Sequence, residues 1–216
     1  MVRVRENDFY KNMENIAKGE SAPKPEKAKP TAKPNSGSGV IPNDKDMDNF
    51  SSIKENSIKL LERQLSHEIR NYMIYMTFAG FYSEQCMPDL SKYFKLRAEE
   101  ELEHSEWVHN FLEEAGCIFT YPSIEAVNED IKDLLTPMLR TIEVEKETTE
   151  MIADLKKETS DDILLQQWLM DGPLVEEQLE EEEISIKLYR MAADDRVKWS
   201  EKEPQILETY LKHINE

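Results

Sequence analysis

Four stretches of the chain repeat apolar residues at the spacing of an amphipathic helix, and one glutamate interrupts each apolar stripe. The four glutamates are Glu68, Glu101, Glu145 and Glu181. Residues three or four positions apart share one helix face, so each carboxylate points with its apolar neighbours towards a core. A buried carboxylate is costly unless it is paired or neutralised. The pattern therefore predicts helices that pack together around a shared cation site.

The same spacing predicts where the helices lie. They cover residues 52–83, 88–115, 137–158 and 163–191, with a short fifth helix over 201–214. Ser51 or Ser52 is a suitable N-cap for the first helix, and Gly116 is a suitable stop for the second. Residues 117–136 lack a helical pattern, and at about 3.3 Å per extended residue they could run the length of a helix. We therefore expect an all-α, up-down-down-up four-helix bundle with a long crossover between its second and third helices.

The N-terminal quarter of the chain has a different composition. Residues 1–20 have the pattern of a short helical turn, and residues 21–46 are rich in Pro, Lys, Ser and Gly, which is typical of an extended, disordered linker. Two interpretations stay open for residues 1–20, an unattached tail or a peptide that docks to an unknown protein partner. The predicted domains are a disordered extension over 1–50 and a helical domain over 51–216.

The chain is strongly acidic, with 45 Asp and Glu residues against 27 Lys and Arg and a formal net charge of -18. This excess makes nucleic acids and anionic membranes poor partners and cations good ones. No stretch has the apolar length of a transmembrane helix, and the first residues lack the apolar core of a secretory signal. The two cysteines, Cys86 and Cys117, have no CxxC or zinc spacing. We therefore expect a cytoplasmic protein with reduced cysteines.

Glu101 and His104 lie three residues apart on one predicted helix face. Two divalent ions would balance four inward carboxylates, and a set rich in carboxylates with one imidazole suits iron or manganese better than structural zinc. Taken singly, an inward glutamate is more often a misjudged register, and the Glu101–His104 pair alone is a weak signal. The convergence of four helices is what favours a metal site. The remaining histidines, His67, His109 and His213, are expected to be surface or packing residues.

Several strings resemble those of the bacterial non-haem ferritins, a family of ferritin-like four-helix bundles. The strings are Glu68 with Tyr75, Glu100-Glu101-x-x-His104, Glu145, and Glu177-Gln178-Leu179-Glu180-Glu181-Glu182. The resemblance covers residues 52–216 and rests on the combination of strings. It implies a ferroxidase that binds ferrous iron, oxidises it with dioxygen or peroxide, and stores ferric mineral inside a hollow homo-oligomeric shell, a 24-mer in the family.

The resemblance also implies ligands, position by position, for a di-iron centre and a third iron site nearby. The first iron is assigned to Glu68, Glu101 and His104; the second to Glu101 as the bridge, with Glu145 and Glu181; the third to Glu100, Glu177, Glu180 and Glu181. Gln178 is expected close to the iron pair and Tyr75 beside the first iron, as the two catalytic residues. His104 is expected to donate its second N–H to an acceptor.

The fourth predicted helix departs from the family pattern. It carries no second Glu-x-x-His, and Leu102 replaces a methionine that is linked to haem in bacterioferritins, so no haem is expected. Gly172-Pro173 should kink or interrupt this helix. The helix can be aligned with the family pattern in two ways. Alignment on the glutamate-rich string makes Glu177 a ligand, whereas alignment on Trp168 puts Gly172 at the ligand position. The first alignment is favoured because the string is more distinctive.

Two other functions stay open at this stage. One is a non-storing di-iron oxidase or peroxide scavenger of the same fold, docked to a shell or partner through the N-terminal extension. The other is a helical bundle without metal chemistry.

Overall fold

A computed structural model describes residues 51–215, which form six helices and no strand. The helices are α1 (Glu55–Glu84), α2 (Pro88–Glu114), α3 (Thr136–Glu158), α4 (Ile163–Asp171), α5 (Pro173–Ala193) and α6 (Trp199–His213). The expectations for residues 1–50 lie outside the described residues. Within 51–215, none of the helices is both long and apolar enough to cross a membrane. The expected all-α four-helix bundle is confirmed, with the fourth helix built from α4 and α5.

The helix ends show which capping predictions were right. The N-cap of α1 is Lys54, without a side-chain cap, so the prediction of Ser51 or Ser52 is wrong. Gly116 does follow α2, with a φ of 70° that glycine adopts at no steric cost. Cys86 follows α1 with a φ of 57°, in the left-handed region that favours glycine. α1 and α2 are therefore each followed by one residue in the left-handed conformation, at which the chain leaves the helix.

The long connection between α2 and α3 runs along α1. Near its start, the amide of Thr120 donates to the Glu62 carboxylate (2.7 Å), and near its end the Leu134 carbonyl accepts from the Tyr82 hydroxyl (2.5 Å). Glu62 and Tyr82 are 20 residues apart in α1, which is about 30 Å along a helix. The connection thus crosses from one end of the bundle to the other, and α3 runs in the direction of α2, as expected.

The predicted single helix over 163–191 is broken in two. Gly172 is extended, with a φ of -85° and a ψ of 162°, and it ends α4 and caps α5. Pro173 takes the first position of α5, where its missing N–H costs no helical hydrogen bond. The break is therefore local, and α5 continues as the inward-facing helix that holds Glu181.

The short C-terminal helix α6 packs on α2 and α5. Lys202 donates to the Ala192 carbonyl (2.6 Å), and the Tyr210 ring meets the Tyr93 ring at 4.9 Å between centroids. The side chain of Glu203 accepts from the Asp89 amide (2.7 Å) at the start of α2. In this structure α6 therefore closes one side of its own bundle.

The bundle interior is two apolar clusters with a polar layer between them. One cluster includes Phe78, Phe94 and Leu188, and the other includes Leu65 and Leu112. The polar layer holds the buried charged and amide side chains Glu68, Asn71, Arg97, Glu101, His104, Glu145, Gln178 and Glu181. Because apolar packing fixes the helices on both sides of this layer, the polar side chains are held at one height in the bundle.

Candidate metal centre

The four glutamates predicted to point inward are all buried, and the structure brings them together. Ligand atoms of Glu68, Glu101 and His104 lie within 4.8 Å of one another, and so do those of Glu101, Glu145 and Glu181. Glu101 belongs to both groups, which is the arrangement expected of a bridging ligand. The side chains come from α1, α2, α3 and α5, so the site exists only when the whole bundle is folded.

Several carboxylate oxygens in this layer have no hydrogen-bond partner among the described residues. They are Glu68 Oε2, Glu101 Oε1 and Glu181 Oε2. A buried acceptor without a partner costs about 1–3 kcal/mol, and more when it is charged. Open oxygens on three converging carboxylates fit a bound cation, because a cation would satisfy them together. The residues present therefore suit a divalent metal ion.

The side chains around the cluster hold it in place. The Gln64 amide donates to Glu68 Oε1 (2.6 Å), and the Asn71 amide lies 3.4 Å from Glu101 Oε2 and 3.2 Å from Thr148 Oγ1. These donors orient the carboxylates without neutralising them. Neither Gln64 nor Asn71 stood out in the sequence, although both lie on the inward face of α1, four and three residues from Glu68.

The protonation of the metal-free site is set by burial and by close charges. Burial and the nearby Glu101 charge raise the pKa of Glu68 well above its ordinary value. For Glu101 burial acts upward, but the facing His104 and Arg97 outweigh it and lower the pKa. Burial opposes charging of His104, yet Glu181 and Glu101 raise the pKa of its imidazole to about 10. Metal binding at these side chains must therefore displace protons.

His104 lies between two carboxylates. Its Nδ1 is 3.8 Å from Glu101 Oε2 and its Nε2 is 3.8 Å from Glu181 Oε1. Both distances are too long for a hydrogen bond. Neither contact is therefore the hydrogen bond that was expected to orient the ring.

Arg97 is the functional residue that the sequence analysis did not single out. Its side chain is 1% exposed, and its guanidinium lies on Glu145 (Nη2 to Oε1, 2.6 Å) and Glu181 (Nη1 to Oε1, 2.7 Å). Nη1 also donates to Glu100 Oε2 (2.9 Å). A signal was present, because Arg97 precedes Glu101 by one helical turn and so shares its inward face.

Comparisons with known proteins agree with this site and fold. The sequence model of the ferritin family, described as a ferritin-like domain, matches residues 58–191. The chain belongs to the ferritin family. Because the match covers all four helices that supply the buried glutamates, it includes the whole cluster.

Curated relatives and solved structures are similar at low identity. A "Probable bacterial non-heme ferritin-like protein" of Haemophilus influenzae is 28% identical over 132 residues, 61% of this chain and 80% of that protein. A "Bacterial non-heme ferritin" of Staphylococcus aureus is 22% identical over 138 residues, 62% of this chain and 83% of the other. The "open pore ferritin" of Archaeoglobus fulgidus superposes with a TM-score of 0.66 at 21% identity, over 72% of this chain and 97% of that one, which shows the shared fold.

Within this ferritin-like site, the two predicted catalytic residues both contact Glu145. The Tyr75 hydroxyl donates to Glu145 Oε1, and the Gln178 amide donates to the Glu145 backbone carbonyl (3.0 Å) and to its Oε2 (3.2 Å). Gln178 therefore lies at the centre, as expected. Tyr75 contacts the carboxylate assigned to the second iron, whereas the family resemblance places it beside the first.

The residues matched to a third iron are more dispersed. Glu177 and Glu180 are exposed, whereas Glu181 is buried and Glu100 is partly buried. They line an open cleft of about 390 Å³ between α2, α5 and α6, with Arg97 and His104 also on its wall. The third site stays a prediction, and the cleft provides an acidic approach from solvent to the buried layer.

The other histidines are not among the grouped ligands. His67 hydrogen-bonds with Thr148 Oγ1 (2.8 Å), and His109 with the Tyr121 hydroxyl (2.8 Å). His213 lines the cleft at the end of α6. His67 thus bonds Thr148, which also contacts Asn71, so His67 has the packing role that was expected.

Proposed function

We propose that this ferritin-family protein is an iron-storage ferroxidase. It binds ferrous iron as substrate at Glu68, Glu101 and His104, with a second position at Glu101, Glu145 and Glu181. The observation behind this proposal is the buried convergence of these side chains with open carboxylate oxygens. Hard carboxylate ligands favour the ferric product over the ferrous reactant, which makes oxidation easier.

The overall reaction is balanced with dioxygen as the oxidant. Two Fe(II) ions, one dioxygen and two protons give two Fe(III) ions and one hydrogen peroxide. Hydrogen peroxide as oxidant takes two electrons from two further Fe(II) ions and, with two protons, gives two waters. In the proposed function the ferric product then leaves the centre for a mineral core.

The proposed assembly is a hollow homo-oligomer, of 24 subunits as in the family resemblance, in the cytoplasm. Both cysteines, Cys86 and Cys117, are free thiols, which suits a reducing compartment. A second candidate is a non-storing di-iron oxidase or peroxide scavenger that the N-terminal extension docks to a partner. The observation that favours it is the 50-residue Pro- and Lys-containing extension before the helical domain.

Adding ferrous iron in air and following ferric absorbance tests the reaction. Glu101→Ala and His104→Ala should each slow the initial oxidation strongly, whereas Glu106→Ala, an exposed change on the same helix, should not. Equal rates in all three variants and wild type would contradict the proposed site.

Native mass and iron content separate the two candidates. A large shell that retains ferric iron supports storage, whereas a dimer or decamer that oxidises iron without retaining it supports the second candidate. Deleting residues 1–46 should leave both assembly and oxidation intact if storage is the function.

A further inference from the structure

The second position of the cluster already holds a positive charge. The buried Arg97 guanidinium donates from Nη2 to Glu145 Oε1 at 2.6 Å and from Nη1 to Glu181 Oε1 at 2.7 Å. Glu145 and Glu181 are two of the three carboxylates in the second group. Since one guanidinium bonds the Oε1 atoms of both carboxylates, it lies where an ion held by those two oxygens would lie.

The hydrogen bonds to Glu145 leave little room for a metal ion. Its Oε1 accepts from the Tyr75 hydroxyl and from Arg97, which uses both lone pairs of that oxygen. Its Oε2 accepts from the Gln178 amide at 3.2 Å. A metal ion bonds a carboxylate oxygen at about 2.0–2.2 Å through a free lone pair. Oε1 of Glu145 can therefore bind an ion only after Arg97 or Tyr75 leaves, whereas Oε2 keeps one free lone pair.

The first position has the opposite character. Glu68 Oε2 and Glu101 Oε1 lack any hydrogen-bond partner within residues 51–215. Buried acceptors in this state are costly, so they suit a bound cation. The two halves of one polar layer thus differ. The Arg97 guanidinium bonds both Glu145 and Glu181, which leaves Oε2 of Glu181 open, whereas Glu68 and Glu101 each keep an open oxygen within residues 51–215.

We infer that Arg97 occupies the second cation position, so that the resting subunit binds one divalent ion, at Glu68, Glu101 and His104, and takes a second only when the guanidinium is displaced. This inference rests on the proposed function for the first position. Arg97, which is not among the ligands that the family resemblance implies, then sets the number of ions that the subunit binds.

The Arg97 guanidinium can move towards the acidic cleft. Arg97 Nη1 also donates to Glu100 Oε2 at 2.9 Å, and the Glu100 side chain is 25% exposed at the acidic cleft. Arg97 lines this cleft together with Glu177 and Glu180. A cation that enters through the cleft therefore meets Arg97 before it meets Glu145, and the neighbouring carboxylates can receive the guanidinium when it moves.

Counting bound ions tests the inference without measuring oxidation. Metal-stripped full-length protein is titrated anaerobically with ferrous ion, and the bound ions per subunit are counted. The ions of the buried cluster are the difference between each protein and the same protein with Glu101→Ala added. Wild type should bind one such ion per subunit, and Arg97→Gln should bind two. Arg97→Lys is the matched control, which keeps a positive charge and should stay at one.

Glu145→Gln provides a second test if Arg97→Gln fails to fold. With Arg97 in the second position, Glu145→Gln should leave the number of buried ions at one per subunit. Two ions in wild type that fall to one in Glu145→Gln would overturn the inference and leave the proposed function standing. No ion lost in Glu101→Ala would overturn both.

Discussion

Replacing Glu68 with glutamine should stabilise the metal-free protein while it weakens metal binding. Glu68 is fully buried, its Oε2 has no partner among the described residues, and Glu101 lies beside it. Glutamine keeps the shape of the side chain and an oxygen that can accept from Gln64, but it removes the ionisable group. Glu68 is therefore expected to destabilise the metal-free protein, and metal binding is expected to offset this loss of stability.

The size of the effect has a ceiling set by proton linkage. Burial raises the pKa of Glu68 above its ordinary value of 4.5, so the folded state keeps a proton that the unfolded state releases. Each pH unit of this difference is worth about 1.4 kcal/mol, which gives a ceiling of about 3.5 kcal/mol at pH 7. The new amide hydrogens cost about 1–2 kcal/mol if they find poor acceptors. The net gain is therefore at most about 1.5–2.5 kcal/mol, or about 3–10 °C in Tm.

The stability difference between Glu68→Gln and wild type should depend on pH. Because the pKa of Glu68 is raised in the folded state, wild type loses stability as the pH rises above the ordinary pKa of 4.5. The glutamine variant lacks this loss. Its advantage should therefore be absent near pH 4 and grow towards pH 7, as measured by circular dichroism melts of chelator-treated protein at equal subunit concentration.

Manganese ion completes the assay, since it binds without being oxidised by air under mild conditions. At about 100 times its Kd it should stabilise wild type by about 2.7 kcal/mol and the variant by much less. Glu150→Gln, an exposed change in α3, is the control and should alter neither measurement. If Glu68→Gln lowers the Tm of the metal-free protein at pH 7, the description of Glu68 as an uncompensated buried acid is refuted.

Two further predictions concern α4 and its ends. Asp162→Ala should destabilise the protein by about 2–4 kcal/mol in urea unfolding, since Asp162 caps α4 and accepts two more hydrogen bonds from the start of α1. Asp161→Ala, an exposed change beside it, is the control and should have little effect. Gly172→Ala should cost about 1–3 kcal/mol of stability because its Cβ would lie 2.6 Å from the Trp168 carbonyl oxygen. Gly80→Ala, with open space around it, should be neutral or stabilising. Similar stabilities for the two variants would contradict this account.

Periodicity in the sequence was enough to find the bundle and its inward glutamates. Helical spacing predicts a helix wherever one face is apolar, so the bounds of α1, α2 and α3 were predicted within a few residues. The same spacing placed Glu68 and Glu145 on buried faces, as the structure shows. These are local properties, since each needs only the residues of one helix.

The partners of each side chain were decided by tertiary packing. Arg97 was readable as an inward residue, but its pairing with Glu145 and Glu181 depends on how α3 and α5 meet α2. Tyr75 likewise contacts Glu145, and sequence spacing within α1 cannot select a partner in α3.

The sequence by itself therefore determined that several acids enter the core, because the apolar pattern is local to each helix. The packing of the helices selects which acids share Arg97 and which keep an open oxygen. The physical reason is that electrostatic interactions in a buried layer depend on distances between helices, and residues far apart in the chain set those distances.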